Sequence, residues 1–162
     1  MKVLIISDTH GVASNLDKVL RKEGMPDFLI HAGDTGNRED DIISRITCPY
    51  KMIYGNNDYR EGVLKDRELF ELEGHMIYLT HGHREGAYYG IEGLVGNAAS
   101  LGADIVVYGH THVPNVEKDE ELGVYAVNPG SLTYPRQQGF KDSYIIMEIN
   151  DKDEPEFEVN FL

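Results

Sequence analysis

The sequence has one cysteine, few basic residues and no long hydrophobic run. Cys48 stands alone among 162 residues, which excludes an internal disulfide bond and a thiolate zinc cluster. No stretch approaches the roughly 18 consecutive apolar residues of a membrane span. The aliphatic run at residues 3–6 is also too short for the apolar region of a signal peptide, which takes about 7–15 residues. We therefore expect a cytoplasmic protein with a buried first strand.

Positive charge is scarce. The chain has 15 Lys and Arg against 28 Asp and Glu, and its formal net charge is −13. Such a surface repels polyanions, so extended binding to DNA, RNA or an anionic membrane is disfavoured. A small phosphate substrate remains compatible with this charge if a metal ion supplies local positive charge.

Several common catalytic motifs are missing as well. The sequence has no G-x-x-x-x-G-K-[ST] loop, no G-x-G-x-x-G after a strand and no H-E-x-x-H helix. It also lacks G-x-S-x-G, the nucleophile motif of α/β-hydrolases. A nucleotide-binding loop, a zincin centre and a serine hydrolase are thereby disfavoured.

The length and the hydrophobic pattern predict an ordered α/β chain. With 41% hydrophobic residues, residues 1–162 suit a single domain of roughly 100–200 residues. Apolar residues at helical spacing predict helices between residue 12 and Gly24, around 42–46 and at 88–101. Short apolar runs predict strands at 3–6, 28–30, 52–54, 68–74, 76–79, 105–108, 113–118, 124–127, 144–149 and 157–161. The alternation is typical of βαβ units, so we expect two sheets with helices packed outside them.

Polar side chains follow five of the predicted strands where each strand ends. The carboxyl ends of strands are where open α/β sheets bind ligands, so these side chains should meet. They comprise seven nitrogen and oxygen donors and no sulfur: Asp8, His10, Asp34, Asn56, His81, His110 and His112.

The number and type of these donors indicate a site for two metal ions. One tetrahedral zinc needs only three or four protein ligands, and mixed imidazole and carboxylate donors suit Mn, Fe, Zn, Co or Ni better than Ca or Mg alone. Two ions at ~3.5–4 Å polarise both the attacking and the leaving oxygen of a phosphate. Taken singly, each motif is weak, since a lone His is more often a core or surface residue. Their joint placement at five strand ends favours the metal site.

At these residues the sequence resembles the calcineurin-like metallophosphoesterase superfamily. The resemblance runs from the first strand to about Arg136, and it includes features of the small YfcE-type phosphodiesterase branch. It implies a four-layer αββα sandwich of two mixed β-sheets flanked by helices. The matching blocks are Asp8-Thr9-His10, Gly33-Asp34, Gly55-Asn56, His81-Gly82-His83, Gly109-His110-Thr111-His112, Asn128-Pro129-Gly130-Ser131 and Pro135-Arg136.

The resemblance also implies roles for the donors. The first metal ion would be held by Asp8, His10 and His112, and the second by Asn56, His81 and His110, with Asp34 bridging the pair. We expect two divalent ions, with Mn²⁺ as first choice and Ni²⁺, Zn²⁺, Fe²⁺, Co²⁺ or Mg²⁺ as alternatives. A metal-bridging hydroxide would then attack phosphorus in line.

One position departs from the family pattern. Many members have His directly after the metal-binding Asn and the YfcE-like branch often has Cys, whereas this chain has Asn57. An amide donates a hydrogen bond but no proton at a useful pKa, so esters with basic leaving groups should react slowly. His83 is either a substitute acid or a support for the metal ligands. Asp58 is expected to orient its loop, and His31 and His75 are expected to be structural.

Arginines near the motif loops are candidates for binding phosphate. Arg60, Arg84 and Arg136 are the cations closest in sequence to these loops, and a guanidinium fork suits phosphate oxygens. Surface ion pairs explain them equally well. Of the three, we predict Arg136 as substrate-binding.

Two functions from different classes follow. The first is a dinuclear metal-dependent phosphoesterase acting on phosphodiesters; the second is a protein-interaction scaffold of the same fold with weak or no catalysis. The complete donor set favours the enzyme, and the loss of the His after Asn56 favours the scaffold. A nuclease is disfavoured by the charge. We expect a small phosphoester as partner, no extended nucleic acid and no membrane, and we leave a homo-oligomer open.

Overall fold

The computed structural model describes residues 1–59, 64–150 and 154–162. Among these residues, no helix is long and apolar enough to cross a membrane. The elements in chain order are β1 (Lys2–Ile6), α1 (Ser14–Glu23), β2 (Phe28–His31), α2 (Glu39–Ile43), β3 (Tyr50–Met52), β4 (Arg67–Leu72), β5 (His75–Thr80), α3 (Glu92–Ser100), β6 (Ile105–Val107), β7 (Pro114–Asp119), β8 (Val124–Pro129), β9 (Ser143–Glu148) and β10 (Glu156–Phe161).

The strands form two five-stranded mixed sheets, as the sequence predicts. The first has the order β10-β9-β1-β2-β3 and the second β4-β5-β6-β8-β7. Parallel pairing joins β1, β2 and β3 in the first sheet and β5, β6 and β8 in the second. The antiparallel strands β9, β10, β4 and β7 flank these parallel centres. Each sheet therefore presents the carboxyl ends of several parallel strands along one edge.

Alternation along β1 shows how the layers pack. Val3 and Ile5 belong to the cluster between the two sheets, whereas Leu4 and Ile6 pack on the outer face with residues of α1. On the far side, Leu94 of α3 packs against the outer face of the second sheet. Period-2 alternation thus buries both faces of the central strands, and the expected αββα layering is confirmed.

Several boundaries differ from the sequence prediction, and three of them show the reason. The helix predicted at 88–101 begins only at Glu92, because Gly90 has a φ of 135°, which is not helical. The third strand is Tyr50–Met52 rather than 52–54. The second helix ends at Ile43, although Ile46 still packs into the cluster beneath it. Local turns decide these ends, and they do not move the strand termini that carry the polar residues.

Candidate metal centre

The predicted donors converge at one edge of the sandwich. Asp8 follows β1, Asp34 follows β2 and His81 follows β5, and the loop after β6 supplies His110 and His112. Because the two sheets pack face to face, loops from both reach the same volume. A Cβ at Gly55 would overlap the carboxylate of Asp34, so this position requires glycine for the close approach of two loops.

The backbone of the centre is held in a sparsely populated conformation. Five of the donors have left-handed φ, between 43° and 68°, a region that residues other than glycine seldom adopt. Such residues cost of the order of 1–3 kcal/mol each and persist where the surroundings over-determine them, as at functional sites. The five are Asp8, His10, Asp34, His110 and His112.

Four donors form a compact group, the first half of the centre. Ligand atoms of Asp8, His10, Asp34 and His112 all lie within 4.8 Å of one another. Nε2 of His112 is 3.0 Å from Oδ1 of Asp8 and 3.3 Å from Nε2 of His10. Nε2 of His10 in turn lies 3.8 Å from Oδ2 of Asp34.

A hydrogen bond at Nδ1, on the side of the ring away from the other donors, fixes the tautomer of His112. Its Nδ1 lies 2.6 Å from the carbonyl oxygen of Tyr134, and a carbonyl only accepts, so Nδ1 carries the proton. In the neutral ring, Nε2 then presents a lone pair toward Oδ1 of Asp8. That carboxylate oxygen is buried and has no hydrogen-bond partner among the described residues.

The second half of the centre is arranged in the same way. Nδ1 of His81 lies 2.7 Å from the carbonyl oxygen of Ala32, so it donates there. Its Nε2 faces Oδ1 of Asn56 at 3.1 Å and Oδ2 of Asp34 at 3.5 Å. The ring of His110 stands edge-on to that of His81, with centroids 5.2 Å apart. Asp34 therefore lies between the two halves.

The charges of these groups are strongly coupled. Burial opposes the charged form of His81, but hydrogen bonding to Asp34 and the charge of Asp8 raise its pKa to about 9. Burial likewise raises the pKa of Asp34, and hydrogen bonds from His81 and Asn57 outweigh that effect and hold it well below its usual range. Without a metal ion, a proton on His81 offsets the buried carboxylates.

These observations fit divalent metal ions. Lone pairs of imidazole nitrogens and of carboxylate and amide oxygens point at one another, an arrangement that needs a cation or extra protons between them. The donors are nitrogen and oxygen only, which suits first-row transition metals. The carbonyl oxygens of Ala32 and Tyr134 accept from Nδ1 of His81 and His112 and orient the rings, as is usual for metal-binding histidines.

A buried carboxylate, Asp58, ties two of the loops together. It accepts hydrogen bonds from the backbone N–H groups of Gly55 at 2.8 Å, Gly36 at 2.8 Å and Thr35 at 3.1 Å, and from the hydroxyl of Thr35 at 3.1 Å. The expectation that Asp58 orients its loop agrees with these contacts. None of these hydrogen-bond partners is one of the seven donor residues.

Asn57 and His83 take up different positions from each other. The backbone N–H of Asn57 donates to Oδ1 of Asp34 at 2.9 Å and its amide Nδ2 donates to Oδ2 at 2.7 Å. His83 lies beside the second half, with its ring 5.5 Å from that of His81. Nδ1 of His83 is buried and has no hydrogen-bond partner among the described residues.

The arginines also separate. Arg136 lines the same cleft as His10 and His112, and its guanidinium donates to the hydroxyl of Tyr88. Arg84 instead pairs with Asp66 at 2.8 Å, which is the surface ion pair considered for it. Arg60 lies outside the described residues.

Sequence reasoning gave His31 only a structural role and named neither Tyr134 nor Tyr88 as part of the centre. His31 is fully buried, and its Nδ1 accepts from the N–H of Gly33 at 3.2 Å while its Nε2 meets the hydroxyl of Thr9 at 3.1 Å. It links the loops that carry the first two carboxylates. Tyr134 and Tyr88 stand edge-on to His10 and His110. Tyr134 lies between the matched blocks that end at Ser131 and begin at Pro135, but a tyrosine at that position carries no sequence signal of a contact with His10.

Comparison with known proteins places the chain in a family. Residues 1–152 match the Calcineurin-like phosphoesterase superfamily domain. The chain is 34% identical over 150 residues to a Bacillus subtilis protein named "Probable metallophosphoesterase YsnB", covering 92% of this chain and 85% of that one. It is 28% identical over 159 residues to phosphodiesterase YfcE of Escherichia coli, covering 84% and 82%.

Similarity also extends to proteins with a different kind of name. The solved structure of a single mutant of Vps29 from Entamoeba histolytica superposes with a TM-score of 0.79 at 25% identity. The match covers 100% of this chain and 99% of that one. The same fold therefore occurs in proteins named as phosphodiesterases and in proteins named for vacuolar protein sorting.

Proposed function

The chain belongs to the calcineurin-like phosphoesterase superfamily, and from that membership we propose that it is a phosphodiesterase that uses two divalent metal ions. The observation that carries the proposal is the position of Asp34, between an imidazole nitrogen of His10 at 3.8 Å and one of His81 at 3.5 Å. A phosphodiesterase name among its relatives supports the diester preference. A cytoplasmic location belongs to the proposal, since the lone Cys48 is free, as suits a reducing compartment.

The family resemblance implies which residues would hold each ion. Asp8, His10 and His112 would hold one ion, and Asn56, His81 and His110 the other, with Asp34 shared. When bound, such ions lower the pKa of coordinated water and offset negative charge on phosphoryl oxygens. We put Mn²⁺ first among the candidate metals, because the donors mix imidazole with carboxylate.

Other side chains bind and orient. Arg136 supplies a guanidinium on the wall beside His10 and His112, where it would contact a phosphoryl oxygen. Asn57 holds both carboxylate oxygens of Asp34, so its amide fixes the orientation of the shared ligand. His83 has an unpartnered Nδ1 among the described residues and is the alternative to water as the proton donor at the leaving oxygen.

The experiment varies the leaving group of a diester with the Mn²⁺-loaded protein. Because Asn57 has no proton to give, we expect rates to fall steeply as the leaving-group pKa rises, with activated aryl diesters hydrolysed and alkyl diesters nearly inert. General acid catalysis is worth roughly 10²–10⁴-fold, so Asn57→His should help the poor leaving groups most. If His83 supplies the proton, the wild-type rates would instead depend little on the leaving group, and His83→Gln would restore the dependence. Turnover of no phosphoester, with both metals bound, would contradict the proposal.

A scaffold that binds other proteins is the second candidate. It is favoured by the likeness to Vps29 and by the amide of Asn57 where many family members have His. The complete set of donor residues favours the enzyme. Metal occupancy without turnover of any diester would favour the scaffold.

A further inference from the structure

The first half of the metal centre opens into a cleft of about 460 Å³. Small-molecule sites occupy roughly 300–1,000 Å³, so this volume accommodates more than a phosphate group. Its lining combines two donor histidines with a short segment of chain: His10, His112, Tyr134, Pro135 and Arg136.

The backbone of that segment is fixed to the metal donors. The carbonyl oxygen of Tyr134 accepts from Nδ1 of His112, and its N–H donates to the hydroxyl of Ser131 at 2.8 Å. Ser131 is fully buried and donates to the carbonyl oxygen of Asp8 at 2.8 Å. These hydrogen bonds therefore fix the backbone of Tyr134 relative to the two donors His112 and Asp8.

The tyrosine ring presents an open aromatic surface to the cleft. Tyr134 is 56% exposed, and its ring stands edge-on to His10 at a centroid distance of 5.2 Å and an angle of 83°. Pro135 adds a second flat, apolar surface. Exposed aromatic area beside a polar centre is the feature on which planar rings stack, because every such ring has a π-face to offer.

The charge on the same wall is available to a ligand. The guanidinium of Arg136 donates to the hydroxyl of Tyr88 and, among the described residues, has no carboxylate partner. In a chain with a net charge of −13, a guanidinium left without an acidic partner beside metal donors is suited to a phosphoryl oxygen. Ring surface and positive charge lie next to each other.

We infer that Tyr134 and Pro135 form a subsite for a planar aromatic ring carried by the ester group of the substrate, as in a nucleoside or an aryl phosphate. The inference rests on the proposed function, since it places the phosphate between Arg136 and the metal donors. Tyr134 then determines specificity: it contacts the substrate ring and takes no part in bond breaking.

The test compares matched ligands that differ in the ring. Adenosine 5′-monophosphate against ribose 5-phosphate tests a nucleobase, and phenyl phosphate against cyclohexyl phosphate tests a simple aryl ring. Binding to the Mn²⁺-loaded protein is measured by calorimetry, independently of turnover. Stacking of a base on an aromatic side chain is typically worth about tenfold or more in affinity, so the ring-bearing member of at least one pair should bind about tenfold more tightly.

Variants assign that preference to the subsite. Tyr134→Ala should abolish the difference within the pair, and Tyr134→Phe should retain it. Tyr89→Ala is the control, because Tyr89 is 94% exposed and does not line the cleft. A preference within the adenosine 5′-monophosphate pair would identify the ring as a nucleobase, and a preference within the phenyl phosphate pair alone would identify it as a simple aryl ring.

Failure of the subsite is distinguishable from failure of the proposed function. Equal binding within both pairs, a preference that survives Tyr134→Ala, or no binding of any of the four ligands would overturn the subsite, even if activated diesters are hydrolysed. Conversely, a ring preference that depends on Tyr134 in a protein that hydrolyses no diester would support the subsite and contradict the enzyme.

Discussion

The two halves of the metal centre are built differently. Asp8, His10 and His112 all have left-handed φ, and Asp8 and His112 are buried. In the other half only His110 has left-handed φ, and Asn56 is exposed. The first half thus has strained backbone at all three of these donors, and the second half has it at His110 alone. Because Asn56 is exposed and fewer donors of the second half are held by strained backbone, we expect this half to release its ion first.

The largest effect should come from Asp34, the ligand that we propose both halves share. Asp34→Asn keeps the shape of the side chain and removes its charge, so it should weaken the binding of both ions together. The loss of affinity should exceed the 10–100-fold that is typical of losing a residue that only hydrogen-bonds to a metal ligand. Metal content after gel filtration and calorimetric titration with Mn²⁺ would measure this. Asp41→Asn, at a carboxylate 45% exposed, is the control. Loss of one ion alone would show that Asp34 belongs to one half.

A smaller effect should separate the halves. His112→Ala should empty the first half and leave about one ion per chain, and His110→Ala should do the same for the second. On titration of the wild-type protein with a chelator, we expect two steps, with the first step absent in His110→Ala. Elemental analysis of each variant gives the stoichiometry. Simultaneous loss of both ions in both variants would mean that the halves form one cooperative unit.

The contrast between the core and the loops explains which parts of the structure could be predicted from the sequence. Alternation in β1, with Val3 inward and Leu4 outward, follows from a two-residue period, so the sheets were predictable. The convergence of the polar residues was predictable because parallel strands place their carboxyl ends at the same edge of a sheet. Left-handed φ at Asp8 and His112 was not, since it depends on contacts such as that between Ser131 and Asp8, 123 residues apart. The same holds for Tyr134, which is brought to His10 by long-range packing.

The smallest effect on the metal centre should come from His31, which contacts loops and not ions. Its tautomer follows from its partners: Nδ1 accepts from the N–H of Gly33, so Nε2 carries the proton and donates to Thr9. Burial favours the neutral ring and lowers its pKa from 6.5 to about 4. Because the pKa of His31 is lower in the folded protein, the unfolded chain binds a proton at this ring between pH 6.5 and about 4, and the folded protein does not. Stability from this residue is therefore present above pH 6.5 and is lost as the pH falls toward 4.

His31→Gln isolates that contribution, because glutamine keeps a donor toward Thr9 and does not titrate. In the metal-free protein, we expect urea unfolding to show a wild-type advantage near pH 7 that shrinks as the pH falls to about 4.5. The pKa difference corresponds to a shift of roughly 3 kcal/mol at most. All other titrating groups are common to the two proteins, so the difference between their curves reports on this ring. A constant difference across that range would mean that the pKa of His31 is the same in the folded and unfolded states, so that burial does not favour the neutral ring.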